Sequence, residues 1–264
     1  MELGLQGQTA IVTGASQGIG LTIARALHAE GVTLALVARS EQKLREVARA
    51  IAGSDVPRVP IHTLTADLTM RAEIERVASQ AVERMGHVDI LVNNAARAHT
   101  GNFFTMSDEE LQEAWQVKGF GYVGMVRAVA PHMMERRSGS IINIVGSAAR
   151  TPTEDFIVGS MVNAALVNFT RGISRELGRH NVRINSISPG WTLTERQQRQ
   201  FEMEAAAKGV SLEEYIHRQS RIVPLNRLVT MDEIARLTLL LASNVLPALT
   251  GEDIVLDGGA TPSI

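Results

Sequence analysis

The sequence predicts an α/β protein, built as a single doubly wound parallel sheet of about seven strands with helices on both faces. Short apolar strands alternate with amphipathic helices along the chain, which is typical of parallel strands buried on both sides. Apolar residues make up 45% of the 264 residues, enough for one large core. No repeat or low-complexity linker interrupts the series. We therefore expect one domain over residues 1–264.

The strands are recognised as short runs of β-forming apolar residues that end in turn residues. The first run ends at Thr13-Gly14 and the sixth at Pro189-Gly190. Because parallel neighbours need crossover connections, the intervening helices are expected to carry the chain from strand to strand with right-handed geometry. The predicted strands are residues 8–12, 32–37, 59–64, 88–92, 141–145, 182–187 and 254–256.

The helices are predicted from apolar residues spaced three and four apart and from capping signals. Ser107 with Glu110 and Thr230 with Glu233 have the spacing of capping boxes. The predicted helices are residues 19–29, 41–51, 72–85, a segment that starts at 107, 164–177 and 230–241.

One long charged segment, residues 191–221, lies between the sixth strand and the last helix. Because it follows the carboxyl end of a strand, we predict a helical lid over a ligand crevice. A solvated pair of surface helices is the alternative.

Composition excludes several function classes. The formal charge is −2 with no basic block, so nucleic-acid binding is not expected. Apolar stretches fall short of the roughly 18–20 residues of a membrane span, and no secretory signal is evident at the start.

The chain has no cysteine, which excludes disulfides and thiolate catalysis and is consistent with a cytoplasmic protein. No metal-ligand spacing is present, so we expect no metal. The expected partner is a small-molecule substrate.

The strongest chemical signal is a glycine-rich turn between the first strand and the first helix. Gly14 allows the tight turn, Gly18 lets a pyrophosphate approach the backbone, and Gly20 allows close packing of the helix on the sheet. The helix N-terminus then offers free N–H groups to phosphates. The turn predicts a Rossmann-type dinucleotide-binding fold.

The end of the second strand predicts which dinucleotide binds. NAD sites place a carboxylate there for the ribose 2′-hydroxyl, whereas an arginine accommodates a 2′-phosphate. This chain has Ala38-Arg39 at that point. NADP is therefore the favoured cofactor and NAD the alternative; an exposed, salt-bridging Arg39 would carry no such meaning.

Several motifs together resemble the short-chain dehydrogenase/reductase family. They are TGASQGIG at 13–20, Asp67-Leu68, NNAA at 93–96, Ser188-Pro189-Gly190, PLNR at 224–227 and Asp257-Gly258-Gly259, and the resemblance covers nearly the whole chain. It implies a homotetramer with the last helix and strand at a subunit contact. It also implies that the cofactor is bound by Gly14, Ser16, Gln17, Gly18, Ile19, Gly20, Asp67, Leu68, Asn94, Ala95, Pro189, Gly190, Thr192 and Thr194, with Arg39 at the phosphate.

The family's catalytic positions differ in this chain. In the family, a tyrosine donates a proton, a lysine four residues later lowers the tyrosine pKa, a serine binds the substrate oxygen, and an asparagine holds a water. Aligned without gaps, the asparagine, serine, tyrosine and lysine positions hold Lys118, Gly146, Gly159 and Asn163. Because acid–base help is typically worth about 10²–10⁴ in rate, ordinary ketone reduction should be severely impaired.

Three residues are candidates to compensate. Lys118 and Asn163 look like an exchange, so we hypothesise that an ammonium reaches the nicotinamide side from the fourth helix; a solvent-exposed Lys118 is the alternative. Ser147 lies one residue past the serine position and should point away unless a bulge intervenes. Tyr122 follows Lys118 by four residues and shares its helix face, but its depth favours a core role.

Ionisable residues also follow the fourth and fifth strands, where ligands bind in such sheets. They are candidates for a general base or proton carrier, with ion pairing within the loops as the alternative. The glycines at the serine and tyrosine positions should in addition enlarge the pocket. The ionisable residues are Arg97, His99, Arg150, Glu154 and Asp155.

Three functions remain open. The first is an NADP-dependent oxidoreductase with an atypical catalytic set, acting on a small carbonyl, alcohol or enone. The second is an inactive cofactor-binding sensor or partner subunit, and the third is a non-redox lyase or isomerase on the same scaffold. The glycine turn favours the first two, because a non-redox enzyme has no evident need for a cofactor site.

Overall fold

A computed structural model describes residues 2–53, 59–97 and 100–262, and in these residues seven strands form one parallel sheet. The strands are β1 Thr9–Thr13, β2 Thr33–Ala38, β3 Ile61–Thr65, β4 Ile90–Asn93, β5 Gly139–Ile144, β6 Val182–Pro189 and β7 Asp253–Leu256. Their order is β3-β2-β1-β4-β5-β6-β7. The winding reverses between β1 and β4, which is the switch point where such sheets bind ligands. The predicted fold class is confirmed.

Helices cover both faces of this sheet. They are α1 Gly18–Ala29, α2 Glu41–Ala52, α3 Arg71–Met85, α4 Asp108–Ala114, α5 Gly121–Arg136, α6 Ile157–Arg179, α7 Glu195–Ala207, α8 Leu212–Ser220 and α9 Met231–Ala242. The apolar faces of α1, α2 and α9 pack on one side of the sheet, and those of α3, α5 and α6 pack on the other. Both predicted capping boxes are present, at Ser107 and Thr230.

Helices α4 and α5 form one rod that is interrupted by a π-helical turn, Trp115–Phe120. A π turn holds an extra residue, so it changes the direction in which side chains leave the rod, and such turns often occur at functional sites. Lys118 lies within this turn.

Helix α6 begins at Ile157, whereas the sequence predicted its start at residue 164. The early turns contain Gly159 and Asn163, both weak helix formers. Packing overrides that propensity, because Val158 and Val162 are buried against the body of the protein. The backbone N–H of Ser160 also donates to the carbonyl of Phe156 at 2.9 Å.

The segment 191–221 is helical, as predicted, and forms α7 and α8. The two helices have a small core of their own, in which Phe201 and Tyr215 rings pack edge to face at 5.4 Å. Trp191 packs on Phe201 at 5.5 Å and links this core to the end of β6. The described helices include none that is long and apolar enough to span a membrane. No metal-binding group of side chains occurs in the described part of the chain.

Candidate functional site

The turn between β1 and α1 is built so that two glycines leave no room for side chains. Gly14 has φ +66° and donates its N–H to Val37 at 2.8 Å. A Cβ on Gly14 would lie 2.8 Å from the Cα of Ala95, and one on Gly20 would lie 2.4 Å from Asn94 Nδ2. Both contacts are too short, so glycine is required on steric grounds at these two positions.

Asn94 braces this turn against the end of β4. Its Nδ2 donates to the carbonyls of Thr13, at 3.1 Å, and Gly14, at 3.3 Å. The hydroxyl of Thr13 accepts from the backbone N–H groups of Asn94 and Ala95. The predicted binding residue Asn94 therefore also fixes the shape of the turn, and the sequence motif did not reveal this second role.

A cleft opens above the switch point and brings most of the predicted cofactor residues together. The start of α1 lies at the cleft; its N-cap, Gln17, makes no side-chain capping bond, so the N-terminal N–H groups are left for a ligand. The cleft is lined by Gly14, Ser16, Gln17, Gly18, Ile19, Val37, Ala38, Arg39, Ser40, Lys43, Ala66, Asp67, Leu68, Asn94, Ala95, Ala96, Arg97, Val117, Thr194, Glu195 and Arg196.

One end of the cleft is basic. Arg39 and Lys43 both line it beside Ser40, the N-cap of α2. Two cations at a helix N-terminus are an arrangement that binds phosphate. The sequence analysis did not predict a role for Lys43. Its position in the first turn of α2, after the capping serine, could have indicated one.

Asp67 lies beside that end with its carboxylate held by Thr69. The Asp67 Oδ1 accepts from the Thr69 N–H at 2.9 Å. This bond, and to a smaller extent the charges of Arg39 and Arg97, lower the pKa of Asp67. Asp67 is therefore a fixed anion and acceptor at the cleft near neutral pH.

Three predicted residues lie at the end of β6 and do not line the cleft. Thr192 is buried, and its hydroxyl donates to the Gly190 carbonyl at 3.0 Å. A Cβ on Gly190 would lie 2.6 Å from the Cβ of Asp257. Together with Pro189, the last residue of β6, they shape the chain that leads to Thr194, which does line the cleft and caps α7.

The first turn of α7 reaches over the glycine turn. A Cβ on Gly18 would lie 3.6 Å from the Glu195 carboxylate, so this carboxylate sits above the glycine. Arg196 lines the same cleft, and among the described residues no carboxylate pairs with it. The positive charge of Arg196 also lowers the pKa of Lys118. The predicted lid thus brings two charged groups to the cleft that the sequence analysis did not single out.

Lys118 is half-buried, and its side-chain nitrogen is hydrogen-bonded within the protein. Its Nζ donates to the carbonyl of Val145 at the end of β5 and to Asn163 Oδ1 at 2.7 Å. Burial, and to a smaller extent the charge of Arg196, lower the pKa of Lys118 to about 7. The ammonium therefore lies between the π turn, β5 and α6. That it reaches the nicotinamide side stays a hypothesis.

The two glycines at the serine and tyrosine positions do not enlarge the pocket, so that expectation was wrong. A Cβ on Gly159 would lie only 2.1 Å from the Phe156 ring, which fills the space. A Cβ on Gly146 would lie 3.0 Å from Asn163 Nδ2. Neighbouring side chains occupy the volume that the missing side chains release.

Tyr122 is a core residue, as favoured from its depth. It is fully buried, and its hydroxyl donates to the Ile144 carbonyl at 3.0 Å. Burial raises its pKa, so it is no acid near neutral pH.

Ser147 begins a short 3₁₀ turn, Ser147–Ala149, that follows Gly146 at φ +132°. Among the described residues its hydroxyl makes no hydrogen bond, and it is not joined to the Lys118 centre. A catalytic role for Ser147 stays a prediction.

Two of the loop residues form ion pairs. Arg97 pairs with Glu113, and Arg150 pairs with Asp253, whose carboxylate is buried. Ser186 and Ser188 donate to the same Asp253 carboxylate. Glu154 and Asp155 are exposed, and His99 lies outside the described residues. Both arginines thus form ion pairs, although their partners lie on α4 and β7 and not within the loops.

A protein-family model described as enoyl-(acyl carrier protein) reductase matches residues 14–261. Among characterised proteins, 2,3-dihydro-2,3-dihydroxybenzoate dehydrogenase of Bacillus subtilis (strain 168) is 34% identical over 263 residues, covering 98% of this chain and 97% of that protein. The chain belongs to the short-chain dehydrogenase/reductase family. The family resemblance read from the motifs is therefore confirmed.

Other short-chain dehydrogenase/reductase proteins extend this result. NADPH-dependent reductase BacG of Bacillus subtilis (strain 168) is 28% identical over 257 residues, 97% of this chain and 99% of that one. The structure of L-sorbose reductase from Gluconobacter frateurii, complexed with NADPH and L-sorbose, has a TM-score of 0.95 and 28% identity over the whole of both chains. These NADPH-dependent relatives agree with the NADP prediction made from Arg39.

Proposed function

We propose that this chain is an NADP(H)-dependent oxidoreductase that acts on a small carbonyl, alcohol or enone, with Lys118 as its acid–base group. The observation that carries the proposal is the placement of the Lys118 ammonium at the end of β5, bonded to Asn163 and with a pKa of about 7. A group that titrates near the working pH is matched to proton transfer.

The cleft residues fit a phosphorylated dinucleotide. Gly14 and Gly20 keep the turn tight, and the free N-terminus of α1 suits a pyrophosphate. Arg39 and Lys43 suit a 2′-phosphate. We assign cofactor binding to Gly14, Ser16, Gln17, Gly18, Ile19, Gly20, Arg39, Lys43, Asp67, Leu68, Asn94, Ala95 and Thr194, with Pro189, Gly190 and Thr192 supporting the cleft behind Thr194.

A bound NADPH would supply the hydride for the electrophilic carbon of the substrate, so a carbonyl oxygen would need one proton to become a hydroxyl. Lys118 in its ammonium form donates this proton and becomes a neutral amine. The amine takes a proton from solvent before the next turnover. In the oxidation direction the neutral amine accepts the hydroxyl proton instead.

The test begins with fluorescence titration of the protein with NADPH and NADH, followed by a panel of ketones, aldehydes, alcohols and enones. Lys118→Met is compared with Lys208→Met, which removes an exposed lysine of the lid. We expect tighter binding of NADPH than NADH, and turnover that falls by about 10²-fold or more in Lys118→Met only. NADPH affinity should be similar in both variants.

Other outcomes point to the alternatives. NADPH binding without turnover on any panel compound would favour a sensor or inactive partner subunit. Failure to bind either dinucleotide would favour a non-redox enzyme. Unchanged turnover in Lys118→Met would remove Lys118 from the reaction.

A further inference from the structure

The side-chain amide of Asn163 has an unusual environment at the end of β5. The residue is only 3% exposed. Its Oδ1 accepts a hydrogen bond from Lys118 Nζ at 2.7 Å, and its Nδ2 lies 3.0 Å from the point where a Cβ on Gly146 would stand. The amide therefore occupies the space next to the backbone of Gly146.

We propose that Asn163 Nδ2 is the hydrogen-bond donor for the substrate oxygen, and that Lys118 fixes the amide in the orientation that makes this possible. This inference rests on the proposed function. It names a second group of the same site, with a carbonyl or alcohol oxygen as its ligand.

The orientation of the amide follows from the chemistry of its neighbour. An ammonium has three donors and no acceptor, so the amide atom that faces it must be the oxygen. Nδ2, which is bonded to the same carbon as Oδ1, is then left for another acceptor close to Lys118. A residue other than lysine at this point would leave the two orientations of Asn163 closer in energy.

The Asn163 Nδ2 group carries two N–H donors. Among the described residues, no oxygen accepts a hydrogen bond from it. Asn93 Oδ1 is an example of a polar atom that has no hydrogen-bond partner and no contact with solvent. Asn163 Nδ2 is not among such atoms, so it is accessible to solvent. Buried polar groups normally have partners. An open donor in a nearly buried residue beside an acid–base group is therefore placed for a ligand.

The surroundings restrict what that ligand can be. The Phe156 ring, at the start of α6, lies against Gly159 one turn before Asn163 and is apolar. Glycine at 146 offers no hydroxyl. A neutral amide donor suits a neutral oxygen that becomes more negative as the reaction proceeds, which is the condition under which such donors accelerate a reaction.

The first arm of the test does not need activity. The side-chain ¹⁵N–¹H₂ signals of Asn163, assigned through Asn163→Gln, are followed from pH 5.5 to 9.5. We expect an inflection near pH 7 in the wild type and in Lys208→Met, and none in Lys118→Met. Addition of NADP⁺ and panel carbonyl compounds should shift the same signals. If no compound shifts them, or if Lys118→Met leaves the inflection in place, the proposal is overturned.

The second arm uses turnover. Removal of one donor of this kind typically costs about 10²–10³-fold in kcat. Asn163→Ala should therefore lose about 10²-fold in kcat even at pH 5.5, where Lys118 is an ammonium, while its NADPH affinity stays near the wild-type value; the inflection itself should move to lower pH, because the ammonium loses an acceptor. A loss explained wholly by a moved inflection would show that Asn163 only positions Lys118, and a wild-type kcat would show that it does neither.

The two proposals fail in different ways. A wild type that turns over no panel compound contradicts the oxidoreductase function, yet the amide signals still report whether Asn163 contacts a carbonyl oxygen. An active wild type with an active Asn163→Ala variant contradicts only the role of Asn163.

Discussion

Lys118 Nζ lies 2.7 Å from Asn163 Oδ1, so one hydrogen bond joins the π turn between α4 and α5 to the second turn of α6. By the family resemblance, these two positions hold the asparagine and the lysine in the reverse order. The hydrogen bond explains how the exchange is accommodated: the two side chains are paired with each other, and a cation lies beside the end of β5.

The pH dependence of turnover should follow Lys118. Its pKa is lowered to about 7, so the ammonium that donates a proton is lost as pH rises above neutrality. Reduction should therefore be fastest on the acid side of pH 7 and decline above it, whereas oxidation should rise over the same range. Measurement of kcat in both directions from pH 5.5 to 9.5 checks this. Equal slopes in the two directions would argue against Lys118.

Arg196 should tune that inflection. Its positive charge lowers the pKa of Lys118, so Arg196→Met should raise the pKa and move the inflection of kcat to higher pH. NADPH affinity should also fall, because Arg196 lines the cleft without a carboxylate partner among the described residues. The control is Arg199→Met, one helical turn further along α7 and exposed. A downward shift in Arg196→Met would contradict the electrostatic argument.

Arg39 and Lys43 should decide the preference for NADPH. A hydrogen bond to a charged group is worth about 1.5–3 kcal/mol, so Arg39→Ala should raise the Kd for NADPH by roughly 10- to 100-fold. Lys43→Ala should have a smaller effect in the same direction. The Kd for NADH should change little in either variant. Arg45→Ala is the matched control on α2, since Arg45 pairs with Glu41 on the exposed face; the readout is fluorescence titration.

The Phe156 ring should prevent a simple return of the tyrosine. Because a Cβ at Gly159 would be 2.1 Å from the ring, Gly159→Tyr alone should lower the free energy of unfolding by several kcal/mol. The same change in a Phe156→Ala background should be tolerated much better. Urea unfolding of the single and double variants measures the coupling, and additive effects would show that the ring yields easily.

The sequence predicted the sheet, the glycine turn and most of the cleft, because these depend on local patterns. Alternating apolar strands and helices imply the switch point, and the spacing of Gly14, Gly18 and Gly20 identifies the turn. The capping boxes at Ser107 and Thr230 were equally local signals.

Contacts between elements that are distant in the sequence could not be predicted from local sequence patterns. The Phe156 ring over Gly159 depends on the exact start of α6, and the arrival of Arg196 at the cleft depends on how α7 folds back. The prediction of a larger pocket was wrong for this reason. A missing side chain leaves a space only if no neighbouring side chain fills it.

The contact of Phe156 with Gly159 also limits how the helix can change over many generations. A lineage that carries this ring cannot gain a larger side chain at 159 in one step without a clash, and one that first loses the ring leaves a void in the wall. We expect both intermediate sequences to be less stable than the present one. A larger side chain at 159 should therefore be gained only together with a smaller one at 156.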